Sequence, residues 1–338
     1  IHPRQRRRQV APSAYQRTGT PLPRTGCPRR FIPKVRFRGH PSDHPLTHTS
    51  SSAHIHTHLH TPATTSLAAS ALRHDQASRN MILYFSGTGN TRYCAKALAR
   101  ILENKALDIS PRHRDGSIDH IAASSRIIWM FPIYSWGVPP VVVDFMRHTV
   151  IGGASEVPHY MVATCGDDAG NAAKMWRRIV SDRGWKHRSA YTVQMPNTYV
   201  CLPSFDVDSD KVRRAKIAAA PARIATIAEA IMQDDLSTTP HDMVTRGSFA
   251  WLKTSVIYPS FKNNGVKSKR FAVTDACTGC GTCARTCPMS NITIKEGKPC
   301  WGNDCAMCLA CYHRCPTHAV MYGHTTRHKG QYRDPETT

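Results

Sequence analysis

The chain has 338 residues and a formal net charge of +22, with a pI near 9.8. That length suits two domains and a tail, and a charge of that size first suggests an anionic partner. The charge is uneven, however: residues 1–80 hold 13 Lys and Arg against two acids, half of the whole excess. The remainder is only modestly basic, and the expectation is no nucleic-acid partner.

Residues 1–80 contain nine histidines and many Pro, Ser, Thr and Arg, with almost no apolar periodicity. Such a segment cannot bury a core and is expected to be a disordered tail. His54, His56, His58 and His60 alternate, but a solvated low-complexity run accounts for them better than a metal site does. The first methionine of the chain is Met81, directly before an apolar strand. The expected natural start is therefore Met81, with 1–80 as upstream sequence or an incomplete leader. An Arg- and Ser-rich transit peptide is the competing reading. There is no apolar h-region, so the expected location is cytoplasmic rather than secreted.

The expected first domain is 81–200. Met81 to Phe85 is a short apolar run, as in a buried parallel strand. Ser86-Gly87-Thr88-Gly89-Asn90-Thr91 follows, and then a helix with Cys94, Ala97, Leu98, Ile101 and Leu102 on one face. Strand, Gly/Ser/Thr loop and helix make a phosphate site: backbone N–H groups, short hydroxyls and the helix dipole converge on one anion. The loop lacks the lysine and spacing of a Walker A motif and is not G-x-G-x-x-G. It matches the [ST]-x-T-G-x-T loop that holds the FMN phosphate in flavodoxins, at Ser86, Thr88, Gly89 and Thr91. A tight glycine turn between strand and helix is the plainer alternative.

Arg126 to Tyr134 reads as a central strand entering a loop that runs from Pro132 to Pro140. The apolar stretch 127–143 is too short for a membrane span, and Pro132, Pro139 and Pro140 break it. In a sheet of order 2-1-3-4-5, ligands sit at the switch point between strands 1 and 3. Pro132, Tyr134, Trp136 and Gly137 fall there; Tyr134 and Trp136 either cover an isoalloxazine ring or anchor the loop on the sheet. His159–Thr164 is the next strand, and its loop places Thr164, Cys165 and Gly166 at the ring's polar edge. Cys165 is either a redox group or a small packed side chain. A helix over 171–182 and a strand near 189–195 complete the domain.

Residues 201–270 read as a helical spacer. A helix from Ser209 to about Asp234 starts on the acids and cap of Asp208, Ser209 and Asp210, and Pro221 is expected to kink or divide it. Trp251, Tyr258 and Phe261 are expected to pack between domains.

The last expected domain, 271–325, is dominated by two runs. Cys277-Thr-Gly-Cys280-Gly-Thr-Cys283-Ala-Arg-Thr-Cys287-Pro288 returns 28 residues later as Cys305-Ala-Met-Cys308-Leu-Ala-Cys311-Tyr-His-Arg-Cys315-Pro316. The offset also carries Ile292 onto Val320 and Ile294 onto Tyr322. This is the C-x₂-C-x₂-C-x₃-C-P run of bacterial ferredoxins, written twice. Since the fourth cysteine of each run ligates the other cluster in two-cluster ferredoxins, one set is Cys277, Cys280, Cys283 and Cys315. The other is Cys305, Cys308, Cys311 and Cys287. Structural zinc takes four ligands from two C-x₂-C pairs, and nothing marks the chain as a secreted disulfide framework. Cys300 lies outside the pattern. Residues 326–338 are a short tail.

Together these segments, with Met195-Pro-Asn-Thr-Tyr199, resemble the ferredoxin–flavodoxin fusion proteins of anaerobic microbes over about 81–325. The resemblance implies a flavodoxin-like doubly wound parallel α/β sheet followed by a small α+β ferredoxin domain with two [4Fe–4S] clusters. It implies an electron-transfer protein exchanging electrons between those clusters and FMN, with redox partner proteins undefined. The alternatives are a flavin-dependent reductase of a small acceptor and a ferredoxin on a flavin-free docking domain. The sequence leaves open whether the chain is an enzyme.

Overall fold

The run Asn80–Tyr84 forms β1, buried at every residue, which is why it reads as continuously apolar rather than alternating. The computed structural model describes residues 80–113, 120–122, 126–265 and 268–336. The expectations for residues 1–79, including the start at Met81, lie outside them. After β1 come α1 (Asn90–Ile101), β2 (Ala106–Asp108), β3 (His120–Ala122), β4 (Arg126–Pro132), α2 (Pro140–His148), β5 (Val150–Gly152), β6 (Pro158–Cys165), α3 (Ala172–Asp182), β7 (Lys186–Gln194) and α4 (Asp210–Met232). Five strands form one parallel sheet in the order β2-β1-β4-β6-β7. Counted along the chain within that sheet, this is 2-1-3-4-5, a flavodoxin-like α/β topology with its switch point between β1 and β4.

Alternate residues of each strand feed opposite faces. Leu83, Trp129 and Phe131 pack on α2 and α3 through Val142, Met146 and Trp176. Ile82, Ile128 and Met130 pack on α1 and α4 through Cys94, Leu98, Ile224, Ile227 and Ile231. Two expectations need correction here. The buried stripe of α1 is Cys94, Ala95, Leu98, Ala99 and Leu102, while Ile101 is 41% exposed, because the two alanines let α4 approach closely. And α4 is not spacer: it closes the second face of the sheet. Its Ser209 cap accepts from the Val212 N–H, as expected. Pro221 does not divide it, since α4 runs unbroken past this exposed position.

One buried polar group on the first face makes a pH prediction. His159 is fully buried and stacked on Trp129 and Trp185. Trp129 Nε1–H donates to His159 Nδ1 at 3.0 Å, so Nε2–H donates to the Ala154 carbonyl at 2.9 Å. Burial pulls its pKa down from 6.5 to about 4. The unfolded chain therefore binds the extra proton between those values. Stability is full above pH 6.5 and falls as pH drops toward 4, by roughly 3 kcal/mol for this group. Denaturant unfolding at pH 7 and pH 4.5 should show a smaller loss in His159→Phe than in the parent; equal losses would remove His159 as the source.

The C-terminal part contains β8 (Phe271–Val273), α5 (Thr282–Arg285), β9 (Ile292–Lys295), β10 (Lys298–Trp301), α6 (Ala310–His313) and β11 (Val320–Tyr322). β8 pairs with β11 and β9 with β10, both antiparallel. The 28-residue repeat is structural: α5 maps onto α6, and the left-handed Gly279, Gly281 and Ser290 map onto left-handed Met307, Leu309 and His318. The first copy meets the two loop positions with glycine, and the second holds larger side chains there at a conformational cost.

Residues 329–336, expected as a tail, form a strap. Lys329 donates to the carbonyls of Leu202 (3.0 Å), Pro203 (2.7 Å) and Phe205. The Tyr332 hydroxyl donates to Asn90 Oδ1 at 2.5 Å. Asp334, almost fully buried, pairs with Arg92 on α1 and with Arg314 just after α6. The strap therefore ties the two halves together.

Candidate functional site

The loops at the carboxyl ends of β1, β4, β6 and β7 meet around one cavity of about 330 Å³, within the range of small-ligand sites. Thr91 Oγ1 lies 2.7 Å from Thr164 Oγ1, joining the first loop to the third. Asn90 Nδ2–H donates to the Pro196 carbonyl at 2.9 Å, joining the first loop to the segment after β7. Ile133 N–H donates to the Thr164 carbonyl and Met195 N–H to the Cys165 carbonyl, at 2.8 and 2.9 Å.

The cavity is lined by Ser86, Gly87, Thr88, Asn90, Thr91, Pro132, Tyr134, Trp136, Thr164, Cys165 and Gly166, among others. Two expected residues turn away from it. A Cβ on Gly89 (φ +108°) would overlap the Asp334 carboxylate of the strap, and one on Gly137 would overlap the Tyr258 ring. Both are therefore close-approach positions.

Tyr134 to Gly137 is a tight hairpin closed by mutual N–H···O bonds of 3.0 and 2.9 Å. Its two central residues, Ser135 and Trp136, have φ of 44° and 62°, a left-handed turn that glycine and asparagine usually occupy. Strain is thus stored beside the cavity. Three contacts hold the turn: Thr254 Oγ1 donates to the Trp136 carbonyl at 2.8 Å, Lys253 sits 5.1 Å from the Trp136 ring centre, and Phe261 meets Tyr134 edge-on. Phe261 packs between the halves as expected, whereas Tyr258 is buried against Gly137 and Val138 of the first half and Trp251 is exposed.

Cys165 is buried, and desolvation pushes its thiol up to about 12. That favours the small packed side chain over the redox group, because the thiolate is the reactive form.

The remaining wall was not legible in the sequence as a wall. Met307, Cys308 and Leu309, in the second cysteine run, line the same cavity as the Ser86–Thr91 loop. A Cβ on Gly87 would overlap the Cβ of Cys308 and lie 3.1 Å from its carbonyl oxygen. The Met195–Tyr199 segment, whose role the sequence left open, lines the cavity and also seats the C-terminal part: the His313 ring is 2.7 Å from the Thr198 carbonyl. Leu202, Phe205, Ile257 and Phe261 also line the cavity, as do Asp167 and Asp168, and no motif marks them.

Cysteines of the two runs approach each other in two groups. Cys277, Cys280, Cys283 and Cys315 line one small hollow. Burial raises the Cys283 thiol, and the thiols acting on it are Cys277, Cys315 and Cys280. Burial raises Cys311 well above its ordinary value, and there the neighbouring thiols are Cys308, Cys305 and Cys287. Backbone N–H groups point at three of the sulfurs: Asn291 at Cys287 and Met307 at Cys305, both 3.4 Å, and Ala319 at Cys315, 3.2 Å. Such bonds set the potential of an iron–sulfur centre. None of these eight cysteines is in a disulfide. Among the described residues no group of three His, Cys, Asp or Glu is arranged to hold a single metal ion. A four-iron cube takes its thiolates from farther apart than one tetrahedral ion does.

No protein-family model matches the chain, and no curated protein matches it. Among solved structures it is similar to a protein from Bacteroides uniformis described as a flavoprotein, at 18% identity over 35% of this chain and 90% of the other, with a TM-score of 0.29. It is also similar to the rubredoxin oxygen:oxidoreductase of Desulfovibrio gigas, at 15% identity over 46% and 37%, with a TM-score of 0.28. A Streptococcus pneumoniae flavodoxin aligns at 14% identity over 44% and 98%, with a TM-score of 0.26. These likenesses are partial, and the fold rests on this chain's own strand order. Among the described residues no helix is long and apolar enough to cross a membrane.

Proposed function

We propose that the chain is an electron-transfer protein holding one FMN and two [4Fe–4S] clusters. The observation that carries this reading is the shared wall. Cys308, a ligand candidate of one cysteine set, lines the cavity that the Ser86–Thr91 loop opens into. A flavin in that cavity and a cluster in that set would be neighbours.

The residues suit both groups. Ser86 Oγ is buried with no hydrogen-bond partner among the described residues, and buried hydroxyls are rarely left so. A phosphate oxygen would satisfy it, beside Thr88, Asn90 and Thr91. Tyr134, Trp136 and Phe261 offer aromatic faces, and Gly166 offers close backbone approach for the ring's polar edge. Burial holds the Tyr134 hydroxyl protonated, well above its ordinary pKa, so it meets the ring without charge. The cysteine sets match the four-thiolate shells of two cubes. When bound, the clusters supply single-electron transfer and the flavin one- or two-electron chemistry. The chain's own work is to hold the two sites against each other and to exclude water between them.

The test is anaerobic purification of the chain with iron, sulfide and flavin measured on one sample. About eight irons and one FMN per chain are expected. Eight irons without flavin, even after reconstitution with FMN, would leave a ferredoxin on a silent scaffold. The reductase reading is separated by turnover: a small acceptor reduced catalytically at the flavin would favour it.

A further inference from the structure

The segment after β7 carries a feature that neither cofactor site uses. Residues 250–265 form an irregular helical run that alternates α and π turns: Ala250–Leu252, Lys253–Ile257, Tyr258–Ser260 and Phe261–Gly265. Its inner side is committed, since Tyr258 and Phe261 are buried and the Tyr258 hydroxyl donates to the Val138 carbonyl at 2.6 Å. Its outer side is apolar. Phe249 is 79% exposed, Trp251 68%, Val256 50% and Leu252 45%. Single exposed apolar residues are ordinary, but a contiguous group of this size on one element marks a contact surface.

The charge along this stretch of chain has one sign. From 243 to 274 the chain has Arg246, Lys253, Lys262, Lys267, Lys269 and Arg270 and no acid. Lys262, Lys269 and Arg270 are exposed, while Lys253 reaches inward to Asp168 at 2.6 Å. The apolar tips of Phe249, Trp251, Leu252 and Val256 are exposed, and none of them lines the cavity. A protein partner would need a matching hollow, whereas a lipid headgroup layer accepts protruding Trp, Phe and Leu and supplies the anions.

We infer that residues 246–270 form a docking surface for an anionic lipid bilayer, lying on it without crossing. Trp251, Phe249, Leu252 and Val256 enter the headgroup–acyl boundary, and the exposed basic side chains pair with lipid phosphates. Since Ile257 and Phe261 of the same run line the cofactor cavity, the face turned to lipid is the outside of that cavity's wall. The inference does not depend on which cofactor is bound.

The experiment uses the full chain and vesicles of phosphatidylcholine alone or with one quarter phosphatidylglycerol. Co-sedimentation is expected with the mixed vesicles, weakening as salt rises. Brominated acyl chains should quench tryptophan fluorescence on binding, and Trp251→Phe should bind normally but lose most of that quenching. The double variant Phe249→Ser/Trp251→Ser, at positions too exposed to carry the fold, should bind about tenfold or more weakly. Lys262→Glu/Lys269→Glu should do the same by charge alone. If the double Ser variant binds like the parent, the basic residues 1–79 carry the association and the inference fails. It fails equally if no vesicle binds the parent chain, in which case the face belongs to a protein partner.

Discussion

Replacing Gly87 by alanine is expected to weaken binding of the proposed FMN by about 10- to 100-fold, because the added methyl is driven into Cys308. The new Cβ would overlap Cys308 Cβ and stand 3.1 and 3.3 Å from the Cys308 carbonyl oxygen and Cα. Those neighbours are largely backbone, and the loop behind them cannot retreat, because Leu309, Ala310 and Cys311 are buried. Overpacking of this kind costs about 1–3 kcal/mol, and tenfold in affinity corresponds to about 1.4 kcal/mol. The strain has two outlets, the Ser86–Thr91 loop or the Met307–Leu309 loop, and each is a wall of the cavity. Titration of FMN fluorescence against the parent and Gly87→Ala chains measures the effect, with iron counted on the same samples. Equal affinities would mean that the two loops are not pressed together in the cofactor-loaded protein.

Replacing Cys315 by alanine is expected to remove about four of the eight irons and to leave FMN binding intact. Cys315 belongs to the second run by sequence, but it sits in the hollow of Cys277, Cys280 and Cys283. The pair Cys277→Ala/Cys315→Ala should therefore lose no more iron than either single change. Cys311→Ala should also lose about four irons, and combining it with Cys315→Ala should remove nearly all. The two single variants part at the flavin. Cys308, of the Cys311 set, lines the cavity, so collapse of that set should raise the FMN Kd several-fold, while collapse of the other should not. Iron, sulfide and fluorescence titration on the anaerobic single and double variants decide the matter. Additive iron loss in Cys277→Ala/Cys315→Ala would refute the crossed pairing.

Much of this arrangement could be read from local patterns. A parallel strand buried on both faces is a short continuous apolar run, so β1 and β4 announce themselves. A phosphate loop is recognisable because its chemistry is concentrated in six consecutive residues, Ser86 to Thr91. The cysteine runs are legible because one tight loop must supply three thiolates at fixed spacing. Even the repeat in backbone conformation follows the repeat in sequence, from Gly279 and Gly281 to Met307 and Leu309.

What the sequence hid depends on distant neighbours. The pattern of α1 alone favoured Ile101 as an inward residue; packing against α4 buried Ala95 and Ala99 instead. Proline chemistry predicted a break at 221, yet the buried face of Ala220, Ile224, Ile227 and Ile231 holds α4 together on the sheet. The strap looked like a tail because its value lies in partners more than 200 residues away, Asn90 and Arg92.

By itself, then, the sequence determined the α/β class, the Gly/Ser/Thr loop after β1 and the two cysteine runs, since each is written in contiguous residues or at short fixed spacings. Only the tertiary structure decided that Gly87 and Cys308 touch, that Met195–Tyr199 seats one half on the other, and that Trp251 faces outward while Phe261 faces the cavity. Those are outcomes of how two cores and a strap pack against each other, and close packing between segments far apart in the chain leaves no periodic trace in either segment.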